Sequence, residues 1–230
     1  MDAISRCAEG APSSVGREPR SDTGLWERLK QLYRVLRVAR DIASVGNLPR
    51  EGNVYGYLLP HDAVSRGLTD SVSLDIGCGP EPRNPFQAKQ VVGVDIRANE
   101  EKRVKYADLT VEPIPYPDRY FDYVTAGDFI EHVPRVIYLP ERRFPFVQLM
   151  NEIWRVLKPG GIFYSRTPVY PFSPAFRDPT HVNIISHGTF PLYFDDEHRF
   201  AAMYGFVGSF KILGQALRPP HLLSLLRRNN

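Results

Sequence analysis

The chain has 230 residues, 43% of them hydrophobic, enough for one domain with a sizeable core. Its formal net charge of +3 is too small to argue for a nucleic-acid partner, and no apolar run approaches the roughly 18 residues that a membrane span needs. Two cysteines, Cys7 and Cys78, exclude a disulfide framework and suit a reducing, cytoplasmic setting; the opening residues show no signal-peptide pattern.

Residues 1–23 are rich in Ser, Gly, Pro and Arg and read as disordered or loosely packed. Residues 24–44 then place Leu25, Leu29, Leu32 and Leu36 at helical spacing, with Trp26 and Tyr33 on a flanking row. Arg28, Lys30, Arg34, Arg37 and Arg40 face only Glu27 and Asp41 in charge. Such a basic amphipathic helix can make peripheral contact with an anionic membrane or bind a partner. The simpler reading, preferred here, is a helix packed over a substrate cleft with its basic face solvated. Residues 48–67 mix Pro, Gly and aromatic side chains without a period and read as a lead-in loop or part of a lid. Residues 24–67 thus form an N-terminal segment ahead of a domain at 68–230.

From residue 72 a doubly wound α/β pattern begins. Strands are expected near 72–76, 91–95, 103–106, 120–126 and 161–166, with a later one at 205–213, while the tail 221–228 could be a helix or a last strand. The strongest helix is 145–157, with Phe146, Leu149, Met150, Ile153, Trp154 and Leu157 on its core side. It is broken by Lys158-Pro159-Gly160-Gly161.

The first strand runs directly into Gly77-Cys78-Gly79, where missing Cβ atoms allow a sharp turn and let a ligand lie against the backbone. The second strand ends in Asp95, at about the 20-residue distance where a carboxylate commonly grips a ribose diol. A dinucleotide fingerprint would need glycine at position 82, where the chain has Pro82. Pro80-Glu81-Pro82 also removes two N–H donors and adds a negative charge, which is poor for a pyrophosphate. These residues suit S-adenosylmethionine, an adenosine compound without phosphate, better than NAD.

Leu74-Asp75-Ile76-Gly77-Cys78-Gly79 followed by Val92-Gly93-Val94-Asp95 resembles motif I and the next acidic strand end of the class I S-adenosylmethionine-dependent methyltransferases. Ala107-Asp108-Leu109, Phe121-Asp122-Tyr123-Val124 with Glu131-His132-Val133, and Trp154 to Gly161 match later motifs in order. The family usually has a third glycine where this chain has Glu81, so the first crossover helix is expected to be rudimentary. The resemblance implies a single Rossmann-like domain with a mainly parallel seven-stranded sheet and an antiparallel last strand. It also implies that Asp75, Gly77, Cys78 and Gly79 face the methionine end, Asp95 the ribose, Ile96 the adenine ring, and Asp108 and Leu109 the adenine edge. Gly127 and Asp128 would flank the cofactor.

For catalysis, His132 lies just past the fourth strand and has the right ordinary pKa for a proton acceptor, although a structural histidine would read the same way. Asp178 and His181, in the insert after the fifth strand, form a second candidate pair. They could orient each other, bind a polyol or hold a divalent ion, but two ligands are too few for a metal site and none is assigned. Cys78 reads as a space-filling residue rather than a nucleophile. The stretch Asp178-Pro-Thr-His-Val-Asn183 and the proline variant after Gly79 resemble small methyltransferases of bacterial glycan and lipopolysaccharide biosynthesis. Tyr170, Phe172, Phe176 and Asn183 then become candidate substrate contacts, and a saccharide hydroxyl the expected acceptor. A methyltransferase of a non-sugar metabolite and an NAD-dependent sugar oxidoreductase or epimerase are the alternatives.

Overall fold

In this computed structural model the described residues are 23–230. They fall into two units, one ending at Asp41 and one from Ile42 to Asn230. The first consists of most of helix α1 (Thr23–Gly46). Leu25, Leu29, Leu32 and Leu36 are exposed along it. The last turn of α1 belongs to the second unit, where Val45 is buried in the core. No described helix is long and apolar enough to cross a membrane.

The second unit is built on a seven-stranded sheet. Its strands are β1 (Val72–Ile76), β2 (Gln90–Asp95), β3 (Val104–Tyr106), β4 (Phe121–Gly127), β5 (Leu157–Pro168), β6 (Phe210–Arg218) and β7 (His221–Arg228). They lie in the order β3-β2-β1-β4-β5-β7-β6. β1 to β5 pair in parallel, and β7 enters antiparallel between β5 and β6. The inserted β7 separates this sheet from the 3-2-1-4-5-6 order of dinucleotide-binding folds. The antiparallel tail strand matches the sequence reading. The preceding strand starts at Phe210 instead of near 205, because Phe200–Tyr204 forms a 3₁₀ turn that Gly205 ends at φ +92°.

Both faces of the sheet are covered, as parallel strands require. Helix α3 (Pro145–Val156) lays Phe146, Leu149, Met150 and Ile153 against Leu74, Val124, Phe163 and Leu222. The opposite face is covered without a crossover helix. Between β1 and β2 the described chain has turns only, as the prolines at 80, 82 and 85 dictate. Phe86 fills the space from that loop, stacked on Tyr123 at 4.3 Å and edge-on to Tyr164 at 6.2 Å. Leu58 and Ala63 complete the layer. They come from the stretch read as a lead-in loop, which holds the short helix α2 (Val54–Leu58) and a 3₁₀ turn at Leu59–His61.

Arg155, at the end of α3, clamps the connection to β4. It donates to Glu152, to Asp118 and to the carbonyls of Ile114 and Tyr116. These bonds explain Arg155 of the motif as structural.

Phe86 therefore anchors the loop that stands in for a helix beside the ligand-facing strand ends. Phe86→Ala is expected to cost about 3–5 kcal/mol, the usual range for a fully buried aromatic. Urea denaturation measures this directly, and a loss below about 1 kcal/mol would mean that Phe86 does not anchor the loop.

Candidate active site

The carboxyl ends of β1, β2, β4 and β5 bring most of the candidate residues to one edge of the sheet. At the end of β1 the backbone turns sharply at Gly77, φ +61°, whose N–H donates to Val94 O at 2.8 Å. A Cβ there would lie 2.2 Å from the Phe129 ring, so only glycine fits. Gly79 also has positive φ, +68°, but nothing within 4 Å of where its Cβ would be. The loop thus leaves open space above Gly79, the cradle a ligand can fill.

Asp95 closes that loop. One carboxylate oxygen accepts from Gly79 N at 2.8 Å and the other from Arg97 N at 3.1 Å. A carboxylate has about four acceptor positions, so two remain for ribose hydroxyls. Ile96, beside it, is exposed and offers an apolar surface. Asp108 accepts from Thr110 N at 3.0 Å while its own N–H donates to Glu112. It is a turn residue at the right place, and Leu109 turns its side chain into the core. Cys78 is buried, and a Cβ on Gly93 would meet its sulfur. Burial, with Asp75 and Asp95 nearby, pushes its thiol up to about 12, so it fills space and is not a nucleophile.

Asp75 has a different part from the one expected. It is fully buried and accepts from Arg83 N and Nε, both at 2.9 Å, and from Thr125 Oγ1 at 2.7 Å. Arg83 then reaches over Gly127 and donates to its carbonyl at 3.2 Å. Asp75 thus shapes the loop by way of Arg83, a residue to which the sequence assigned no role. Asp75, Arg83, Gly127, Arg166 and Arg218 line one cavity of about 320 Å³. Asp128, at φ +54°, is held by Arg166. His221 Nε2 lies 3.1 Å from its other oxygen without hydrogen-bond alignment.

The proposed catalytic residues do meet. The rings of His132 and His181 stand edge to face, with centroids 4.8 Å apart. Thr180 Oγ1 bonds His132 Nδ1 at 3.0 Å and donates to Asp178 Oδ1 at 2.6 Å. Those Thr180 bonds hold the Asp178 carboxyl below its ordinary range. Asp178 is 3.8 Å from His181 and does not hydrogen-bond it, so it orients Thr180 instead. Buried Glu131, adjacent in the motif but assigned no role from the sequence, accepts from Thr167 Oγ1 at 2.8 Å.

One substrate candidate is corrected. Asn183 is fully buried, donating to Ile130 O and accepting from Arg135, so its amide ties two loops together and cannot reach a ligand. Phe172 packs against the core, whereas Tyr170 and the exposed Phe176 pair at 6.0 Å.

Comparison with known proteins agrees with this geometry. Residues 74–165 match a family model described as a methyltransferase domain. This segment resembles the class I S-adenosylmethionine-dependent methyltransferases. S-adenosylmethionine is the cofactor of that class, and the open turn at Gly79, the free acceptor positions of Asp95 and exposed Ile96 fit it. The domain is similar to a demethylmenaquinone methyltransferase of Listeria welshimeri, 36% identical over 106 residues, or 38% of this chain and 41% of that one. A demethylmenaquinone methyltransferase of Lysinibacillus sphaericus is 29% identical over 123 residues, 45% of this chain and 46% of that one. The chain thus aligns with less than half the length of these relatives. A crystal structure of a Bacillus halodurans C-125 protein classed as a methyltransferase shares the fold, with TM-score 0.50 and 16% identity over 78% of this chain and all of that one. The methyltransferase match speaks against the NAD-dependent alternative.

Two outcomes follow from this electrostatics. Arg83→Met leaves the Asp75 carboxylate buried without its cation. A fully buried pair would lose about 3–5 kcal/mol; with the Arg83 side chain 46% exposed, screening reduces the expected loss to about 1–3 kcal/mol. Chemical denaturation of the variant checks it. For His221, burial and then the Arg166 guanidinium hold the pKa below its ordinary value. Glu131 acts in the opposite direction and does not offset this. The native state therefore loses stability as pH falls below about 6.5, where the unfolded chain takes the proton more readily. His221→Gln is expected to reduce the drop in Tm between about pH 7.5 and about pH 5.5. A slope equal to that of the parent would overturn the assignment. His61, shifted in the same direction, leaves a residual slope.

Proposed function

We infer that this protein is an S-adenosylmethionine-dependent methyltransferase whose acceptor is a small molecule methylated on oxygen, with a sugar hydroxyl as the leading class. When bound, S-adenosylmethionine supplies an electrophilic methyl carbon on a sulfonium that is already a good leaving group. The chain's part is alignment, which can contribute about 7–11 kcal/mol, and removal of the acceptor proton. The turn at Gly77 and Gly79 with Asp95 holds the nucleoside. His132, fixed at Nδ1 by Thr180, presents Nε2 to take a proton from a hydroxyl. The observation that carries the reading is this Asp178-Thr180-His132 series, reached from two loops and set beside the cofactor end of the sheet. A hydroxyl acceptor needs such a proton path. Tyr170 and Phe176 add the aromatic faces that sugar sites combine with polar groups.

A second reading takes a quinone as acceptor. It is favoured by the names of the relatives and by an apolar cavity of about 420 Å³ lined by Phe144, Phe146, Leu192 and Phe194. In either case the free, buried thiol of Cys78 suits the cytoplasm.

Calorimetry and radiolabel transfer test both levels. S-adenosylhomocysteine is expected to bind one per chain and NAD to give no heat, and Asp95→Ala to weaken the former at least about tenfold, or about 1.4 kcal/mol. With labelled cofactor and a panel of glycans, quinones, nucleic acids and peptides, label is expected in glycans. His132→Ala should cut turnover about 10²–10⁴-fold with unchanged S-adenosylhomocysteine affinity. Label confined to quinones would establish the second reading, and label confined to nucleic acid or peptide would overturn both.

A further inference from the structure

We propose that Glu131, His132 and His181 bind a divalent first-row transition cation. Each offers one ligand atom, and these atoms lie within 4.8 Å of one another. Two of the three residues bring buried polar atoms that have no partner. Glu131 is 2% exposed, and while Oε2 accepts from Thr167, Oε1 is unpartnered. The His181 side chain is 9% exposed and its Nδ1 is unpartnered. An unpartnered carboxylate oxygen and an unpartnered imidazole nitrogen in one cluster offer lone pairs that a cation can take.

The supports around the cluster are those of a metal site. Thr167 fixes the Glu131 carboxylate. Thr180 takes Nδ1 of His132 and is itself held by Asp178, so the ring is oriented and Nε2 is left for a cation. The two segments are also locked together through the backbone. The Glu131 carbonyl accepts from Val182 N at 3.0 Å and Asn183 N at 2.9 Å, and Asn183 Nδ2 donates to Ile130 O. His181 is thereby placed against Glu131 and His132 before any ligand arrives. Two imidazoles and one carboxylate select zinc, cobalt, iron or manganese over magnesium and calcium, which take oxygen ligands. Three protein ligands also leave positions open, the pattern of catalytic rather than structural sites.

A second group, Asp195, Glu197 and His198, provides the contrast. Its Glu197 and His198 are exposed, and His198 already bonds Asp195 through both its N–H and its ring. It leaves no buried atom unpaired and supports no such proposal.

The role of the cation rests on the methyl-transfer reading. Held at the acceptor side, it would polarise an acceptor hydroxyl, and His132 would serve as its ligand instead of as a free base. Binding itself can be tested without turnover. The full chain, stripped with a chelator, is titrated with Co(II) and followed by visible d–d absorption. One equivalent is expected to saturate the signal, and Zn(II) to displace it. His181→Asn and His132→Asn should each weaken Co(II) binding at least tenfold, whereas His198→Asn should leave it unchanged. Glu131→Gln should do the same as the first two, and the histidine variants carry the test if that buried change impairs folding. No saturable signal, parental affinity in the His181 and His132 variants, or loss in His198→Asn would each overturn the proposal. S-adenosylhomocysteine calorimetry on the same samples keeps this outcome separate from that of the cofactor reading.

Discussion

Asp75 is a carboxylate with no exposed surface, set at the ligand end of the first strand. A charge in that position is tolerable only if it is hydrogen-bonded and paired. Thr125, across the β1–β4 pair, supplies a hydroxyl, and Arg83 supplies a backbone N–H and a guanidinium. To satisfy Asp75, residues 80–85 must fold back over the strand ends, and the prolines there then allow no helix to form. The loop so placed carries Phe86 into the opposite face of the sheet, and Arg83 onto Gly127. One buried charge thus explains why the first crossover is a loop, why its aromatic anchor lies where it does, and why glycine ends the fourth strand. A Cβ on Gly127 would stand 2.5 Å from the guanidinium.

Much of this was legible from the residues. The strands near 72–76 and 91–95, the α3 helix and the prolines that abolish the first helix all carry local signals, through β-branched runs, 3.6-residue spacing and missing N–H donors. The meeting of His132 with His181 was not local, since 49 positions of chain separate them. Naming both as candidates came from their loop context, while their juxtaposition depends on Val182 and Asn183 docking onto the Glu131 carbonyl. That docking also explains the Asn183 error. A polar residue in an aromatic loop looks like a ligand contact, but here its amide bridges Ile130 and Arg135. Arg83 and His221 escaped for another reason. Arg83 acts through a partner fixed only by the fold, and His221 reaches the site because β7 pairs it with Pro168.

The site is electrostatically divided. Around Gly127, Arg83, Arg166 and Arg218 gather beside the cavity against Asp75 and Asp128, and burial together with the neighbouring guanidiniums holds Arg166 below its ordinary pKa. At Glu131 the balance reverses, with a buried carboxylate, two imidazoles and unpartnered acceptor atoms. His221 is under the influence of both Arg166 and Glu131.

That division also decides how far the relatives' names reach. The matched methyltransferase segment ends at residue 165, and it contains the glycine turn, Asp95, Asp108, Glu131 and His132. Thr167, Asp178, Thr180, His181, Arg218 and His221 all lie beyond it. The shared part is the part that any adenosyl sulfonium needs, whatever it methylates. The residues that complete the polar cluster and the arginine-lined cavity are contributed by β5 past its midpoint, by the insert after it, and by the β6–β7 hairpin. Acceptor choice is a difference in interaction between competing molecules, to which groups outside the matched segment can contribute. Likeness within 74–165 therefore argues for the donor, and the geometry beyond it must argue for the acceptor.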